Sequence, residues 1–267
     1  ASQTNREYIN VQHNDQNGHV TAELYSKIVS SDTRVVTILH ASPVTGISVD
    51  LGAISKAVHS ISPEALIIVD GVQYAAHGGI TIDQYNIDGY AISPYKMYSR
   101  HGYGLAWVSD RLTKMNHEQL FDGPSENWEL GTRDTGSYAT ISNVVQYLEW
   151  LGEKIENTES RSVKLYNAAK AIAAQETALT DLMINGEDNI KGLKDLSGIE
   201  IIGGLKNPNR SGLVSFRING ISSHLLVDFL NGKGIRTHVR KADHYSGNIL
   251  DPLGWEDCVR VSVCHYN

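Results

Sequence analysis

The chain has 267 residues, enough for one large or two modest domains, each with its own core. Hydrophobic residues make up 41% and charged residues 20%, an ordinary globular balance, and the net charge is −7. There is no Lys/Arg run to mark a nucleic-acid or membrane-surface partner, no apolar run of membrane-spanning length and no signal peptide, so a soluble, cytoplasmic protein is expected.

The first half alternates strand and helix. Residues 35–39 form a short β-branched run, and residues 49–62 carry Ile54, Ala57, Val58 and Ile61 at helical spacing, closed by Pro63. Residues 65–69 are continuously apolar and end in Asp70, which predicts a strand buried on both faces. Residues 89–93 and 104–108 are two further short strands. This alternation predicts an α/β fold, a mostly parallel sheet with helices on its faces. Residues 138–155 read as an amphipathic helix and residues 160–184 as a second long one. After Asn185-Gly186 the pattern changes to strands at 199–202, 213–218, 235–239 and 258–263, with a helix at 223–230. The expected organisation is a large domain over residues 1–155 and a smaller C-terminal α+β domain over residues 156–267.

The two cysteines, Cys258 and Cys264, lie in one short apolar run, residues 258–264. Six strand positions span roughly 20 Å, so no disulfide is expected between them, and unpaired thiols suit a reducing compartment. His40, His77 and His101 do not share the spacing of a metal site, and no metal is expected.

Four residues gather at two strand ends: Asp70 and Gln73 after the strand at 65–69, Ser93 and Lys96 after the strand at 89–93. Ligands of open α/β sheets bind beyond the carboxyl ends of strands. A strand ending in Asp-Gly is often only a turn, and a lysine after a strand is often a solvated residue. The same set also suits pyridoxal phosphate (PLP). An amine forms a Schiff base with its aldehyde, a carboxylate favours the protonated ring nitrogen, an amide bonds the ring oxygen, and a hydroxyl bonds the phosphate.

Five ordered segments weigh in favour of the second reading. They are His40-Ala-Ser-Pro-Val-Thr-Gly46, Ile68-Val-Asp-Gly-Val-Gln-Tyr-Ala-Ala-His77, residues 88–104 around Ser93-Pro-Tyr-Lys96, Glu129-Leu-Gly-Thr-Arg-Asp-Thr135, and Cys258-Val-Arg-Val-Ser-Val-Cys-His-Tyr-Asn267. Together they resemble the class V aminotransferase and cysteine desulfurase-like group of fold-type I PLP enzymes, over nearly the whole chain. The resemblance implies that Lys96 holds the cofactor aldehyde and then shuttles protons. Asp70 pairs with the ring nitrogen, Gln73 bonds the ring oxygen, and Ser93 holds the phosphate with Tyr95, which stands where desulfurases usually carry His. Gly131 and Thr132 reach the phosphate of a neighbouring subunit, which implies a homodimer. Arg260, with Arg240 nearby, binds the carboxylate of an amino-acid substrate.

Three departures bear on function. Tyr245 falls where desulfurases carry their nucleophilic Cys, so this sequence resembles the branch lacking that residue, and a persulfide-forming desulfurase is not expected. Ser42-Pro43 replaces a Ser-Asn pair whose amide reaches the site. Relatives also have a long N-terminal stretch before the position of Tyr8, supplying a helix start for the phosphate and a stacking ring, and they continue past Asn267; the N-terminal part is therefore expected to be missing here. The implied activity is an aminotransferase or C–S lyase, with an amino-acid epimerase as the alternative. The reading from another class is a catalytically inactive PLP-fold binding scaffold.

Overall fold

The computed structural model describes residues 6–13 and 17–267 of the chain. The first sheet has the order β1 (Val35–Leu39), β2 (Leu66–Asp70), β3 (Gly89–Ile92), β4 (Leu105–Val108). The first two pairings are parallel and β4 is an antiparallel edge. Helices α1 (Ala22–Ile28) and α2 (Leu51–Ile61) cover one face. Asp50 starts α2 by accepting the Ala53 N–H at 2.9 Å, the usual satisfaction of a free helix N–H. Tyr25 of α1 and Leu51, Ile54 and Val58 of α2 pack with Val36, Ile38, Ile67, Val69 and Tyr90 of the sheet to form the first core.

Burial on both faces of β2 is not what the structure has. Ile67 and Val69 are buried, whereas Leu66 and Ile68 on the other face are only half-buried, and Val35, Thr37 and Leu39 beside them are exposed. Among the described residues the helical layer lies against the Ile67 face alone, so the apolar run overstates the burial.

Short α3 (Asp110–Thr113) precedes an irregular stretch and the long pair α4 (Thr135–Ile155) and α5 (Arg161–Asn185), which pack on each other. The hairpin β5 (Gly186–Glu187) and β6 (Ile190–Lys191) leads to a second, antiparallel sheet. Its order is β7 (Ile199–Ile201), β8 (Leu213–Ile218), β10 (Asp257–Ser262), β9 (His238–Lys241). Helix α6 (Ser223–Gly232) precedes β9, and short α7 (Gly247–Leu250) precedes β10. Ile184, Val214, Phe216, Val227 and Val259 form the core of this part. No helix among the described residues is long and apolar enough to cross a membrane.

The strand expected at 235–239 is displaced to His238–Lys241. Residues 233–237 are consumed by the exit from α6. Gly234 takes a left-handed φ of +80°, Ile235 donates back to the Leu230 carbonyl at 2.9 Å, and Thr237 donates to Asn231 Oδ1 at 3.0 Å. This is the glycine-assisted helix termination that satisfies the last carbonyls, and it takes precedence over the β-branched run.

Asp88 fixes the foot of β3. It is buried and accepts the Ile67 N–H at 2.9 Å, Ser109 Oγ at 3.0 Å and a two-pronged contact from Arg111 at 2.8–2.9 Å. Burial alone would raise its pKa, but these hydrogen bonds together hold it below the ordinary carboxylate value. A depressed pKa gives stability that is present above the unfolded value of about 3.9 and is lost as pH falls through the folded value. Asp88→Asn is therefore expected to cost about 1–3 kcal/mol at neutral pH. The gap from wild type should close below about pH 4, as read from urea midpoints across pH.

Candidate active site

The parallel pairing of β2 and β3 sets Asp70 opposite Ala91, so the carboxyl ends of both strands leave the sheet together. After β2 the chain turns at once. Asp70 Oδ1 accepts the Val72 N–H at 2.9 Å, and Gly71 donates to the Ala91 carbonyl at 2.8 Å. A Cβ on Gly71 would enter the Tyr90 ring, so only glycine fits this crossing. Gln73 then opens a 3₁₀ turn over Tyr74–Ala76. After β3, Ser93 opens a second 3₁₀ turn over Pro94–Met97, which ends at Tyr98 in a left-handed conformation (φ +68°). The Ser93 hydroxyl does not cap that turn.

These two turns bring Gln73 and Lys96 together. Lys96 Nζ donates to Gln73 Oε1 at 3.0 Å, although 23 residues separate them in sequence. The amine is half-buried, and burial is the largest cause lowering its pKa. Asp70 acts in the opposite direction, and Arg260 and Arg240 add to the lowering. An amine so placed has a larger neutral, nucleophilic fraction near neutral pH than a surface lysine.

Arg260 lies on β10 and Arg240 on β9. The register pairs Arg260 with His238 and Cys258 with Arg240, so the two arginines are diagonal neighbours on one face. Arg260 Nη1 donates to the Pro43 carbonyl at 3.0 Å, while the Nε atoms of both arginines are buried without a hydrogen-bond partner. Burial, then Arg240, lowers the Arg260 pKa to about 10. No ion pair among the described residues uses Lys96, Arg240 or Arg260. A surface ion pair for Arg260, the ordinary alternative, is thus not what the structure has.

Tyr95 is partly exposed and stacked on His101 at 4.1 Å. Gly131 and Thr132 lie exposed in the stretch before α4, and no hydrogen bond or ion pair among the described residues ties them to the Lys96 cluster. His40 is buried, stacked on Tyr74 at 3.5 Å and bonded to the Tyr90 hydroxyl at 2.7 Å; burial pulls its pKa down to about 3, so it is a neutral ring. Both cysteines are free, as expected from their spacing.

Two groups at the site escaped the sequence reading. One is the Pro43 carbonyl, whose role is carried by backbone and leaves no side-chain signature. The other is Glu176, 1% exposed in the middle of α5, whose carboxylate lies 2.9 Å from His77 Nδ1. A signal for it existed: Ala168, Ile172, Glu176, Thr180 and Ile184 recur every four residues as the buried stripe of α5, and a carboxylate in such a stripe needs a partner.

The profile of the aminotransferase class-V family matches residues 1–267. The chain belongs to the class-V aminotransferase family. Members of this family and its cysteine desulfurase relatives are PLP-dependent. A probable cysteine desulfurase of Halobacterium salinarum is 25% identical over 265 residues, covering 94% of this chain and 57% of that protein. An aminotransferase-like protein of Gibberella zeae is 29% identical over 260 residues, covering 94% and 60%. The chain thus spans somewhat over half the length of these relatives. Solved structures share the fold. The apo cysteine desulfurase of Thermococcus onnurineus superposes with a TM-score of 0.75 at 19% identity, covering 96% of this chain and 61% of that one. The Escherichia coli cysteine desulfurase does so with 0.72 at 22%, covering 97% and 61%. These are fold-type I PLP proteins, the fold the five segments imply.

The electrostatics at Lys96 make a prediction that needs no cofactor. Arg260→Ala removes a cation and part of the burial, so the Lys96 pKa should rise; Asp70→Asn removes the anion that opposes the lowering, so it should fall further. The pH midpoint for labelling Lys96 with an amine-reactive reagent, followed by peptide mass, reads both shifts. Equal midpoints in the two variants would show that neither group acts on the amine.

Proposed function

We propose that this protein is a PLP-dependent enzyme acting at the α-carbon of an amino-acid substrate, as an aminotransferase or a C–S lyase. The carrying observation is the Lys96 amine, half-buried and 3.0 Å from Gln73 Oε1 where two parallel strands end, in the field of Asp70 and of two arginines without ion-pair partners.

The donor set fits PLP. Lys96 would hold the aldehyde carbon, Asp70 the ring nitrogen and Gln73 the ring oxygen. Ser93 and Tyr95 would hold the phosphate, joined by Gly131 and Thr132 of a second copy in a homodimer. The exposure of those last two residues in a single chain agrees with that arrangement. When bound, PLP supplies an electron sink for the bonds at the substrate α-carbon.

The remaining work belongs to side chains of the protein. Arg260 presents a planar fork to the substrate carboxylate, with its unpartnered Nε as one donor and Arg240 beside it. Contact with the Pro43 carbonyl fixes the side of the guanidinium that faces away from that task. Lys96 takes and returns the α-proton, for which its lowered pKa suits it.

Several observations argue against persulfide formation. Tyr245, at the loop position in question, is 76% exposed and carries a phenol, which cannot accept sulfur as a thiolate does. Cys258 is buried in β10 with its thiol pushed up to about 11, and burial raises Cys264 as well. Neither thiol has the thiolate character a nucleophile needs.

PLP titration of the full-length protein tests the reading. Wild type should give a visible absorbance band that borohydride bleaches, leaving a mass adduct on the Lys96 peptide, and Lys96→Ala should give neither. With amino acids, the variant should lose about 10²–10⁴-fold in turnover, the scale of a general-base contribution. Dependence on a keto acid would identify an aminotransferase; release of a thiol and pyruvate would identify a lyase. Absence of the band in wild type overturns the enzyme reading in favour of a non-catalytic scaffold.

A further inference from the structure

Behind Lys96 runs a buried chain of polar groups that the site residues alone do not explain. Gln73 Nε2 lies 3.0 Å from His77 Nε2, His77 Nδ1 lies 2.9 Å from both oxygens of Glu176, and Glu176 Oε2 accepts the Gly212 N–H at 3.0 Å. All four residues are buried or nearly so, and they come from the turn after β2, from α5 and from the residue before β8. Gly212 allows this approach: a Cβ there would stand 2.9 Å from Glu176 Cδ.

Donor and acceptor rules leave this chain one consistent arrangement. A lysine ammonium has donors only, so the Gln73 oxygen must face Lys96. The amide NH₂ then faces His77, and His77 Nε2 must be the acceptor. The ring proton is therefore on Nδ1, donated to Glu176. Glu176 accepts that proton's hydrogen bond and the Gly212 N–H through its carboxyl oxygens. If His77 carried a proton on Nε2, the Gln73 amide would have to turn over and set NH₂ against ammonium. In a buried network such a reversal leaves polar groups facing like partners at low dielectric, which is costly.

We propose that Glu176 and His77 are positioning residues that fix the Gln73 side-chain amide, oxygen toward Lys96, through a relay of three side chains anchored on the backbone N–H of Gly212, just before β8. Neither touches the reacting atoms. Their effect on the cofactor, through the second N–H of Gln73, rests on the reading of Lys96 and Gln73 given under the proposed function. The proton order itself does not.

The test therefore has two arms. In the protein without added cofactor, ¹⁵N-histidine NMR with through-bond assignment should show His77 at neutral pH as the Nδ1–H form with an unprotonated Nε2. An Nε2–H or doubly protonated ring overturns the proposal, whatever the fate of any variant. In the PLP-loaded protein, Glu176→Gln should shift the pH midpoint of the visible band in the same direction as Gln73→Leu. In the Gln73→Leu background the same substitution should cause no further shift, because a residue acting only through Gln73 has nothing left to act on. An additive shift overturns the proposal. If wild type gives no visible band, the cofactor reading fails, and the NMR arm alone decides the order of protons.

Discussion

Everything at the site depends on the register between β2 and β3. Parallel strands leave a sheet at the same edge, so Gln73 reaches Lys96, and Asp70 acts on it, because Asp70 lies opposite Ala91. A slip of one residue would turn every side chain of one strand to the other face. The register is locked at both ends. At the foot, the Asp88 carboxylate, just before β3, accepts the N–H of Ile67 in β2 and is gripped by Arg111 beyond β4. At the head, the Tyr90 ring occupies the space a side chain at position 71 would need, and the Tyr90 hydroxyl bonds His40 at the end of β1. Three adjacent strand ends are thereby tied to one another before any ligand is present.

The second sheet is attached to the same edge through the loop that follows β1. Ser211 donates twice to the Gly46 carbonyl, Ser215 Oγ bonds the Val44 carbonyl, and Arg260 donates to the Pro43 carbonyl. Val44 itself is buried with Ile202, Leu250, Trp255 and Cys258 in the core of that part. All three acceptors are backbone groups. This gives the Ser42-Pro43 departure a physical reading: a side-chain amide is lost at position 43, but the contact that orients Arg260 is indifferent to the side chain there. Ser42 still shapes the loop, its hydroxyl accepting the N–H groups of Val44 and Thr45 at 3.2 Å.

The strand-to-turn junctions were legible because local rules act there without competition. Leu66–Asp70 and Leu213–Ile218 are apolar runs bounded by turn formers, and Pro63 and Asn185-Gly186 punctuate helices where the sequence places them. The convergence of Gln73 on Lys96 was legible too, since both residues follow strands whose ends the α/β pattern aligns. What could not be read depends on partners far apart in sequence. The shift of β9 to His238–Lys241 follows from the way α6 terminates, which outweighs the β propensity of Ile235 and Thr237. Glu176 becomes a site residue only because α5 packs its buried stripe against the turn holding His77, 99 residues earlier. Helical periodicity marks a buried carboxylate there; it cannot name the histidine that receives it.

Charge gives the arrangement its chemical direction. Arg240 and Arg260 act on Lys96, and Arg240 acts on Arg260, with Asp70 as the opposing anion acting on the lysine. Burial is unfavourable for both cations, like charges nearby add to that cost, and together they appear as the lowered pKa of Lys96 and Arg260. A ligand that brings negative charge relieves that cost, whereas a neutral one does not. A phosphate-bearing cofactor and a carboxylate-bearing substrate are both anions, so under the proposed function each would stabilise the site that binds it. Anionic groups around Lys96 would favour the charged, donor-only ammonium that faces the Gln73 oxygen.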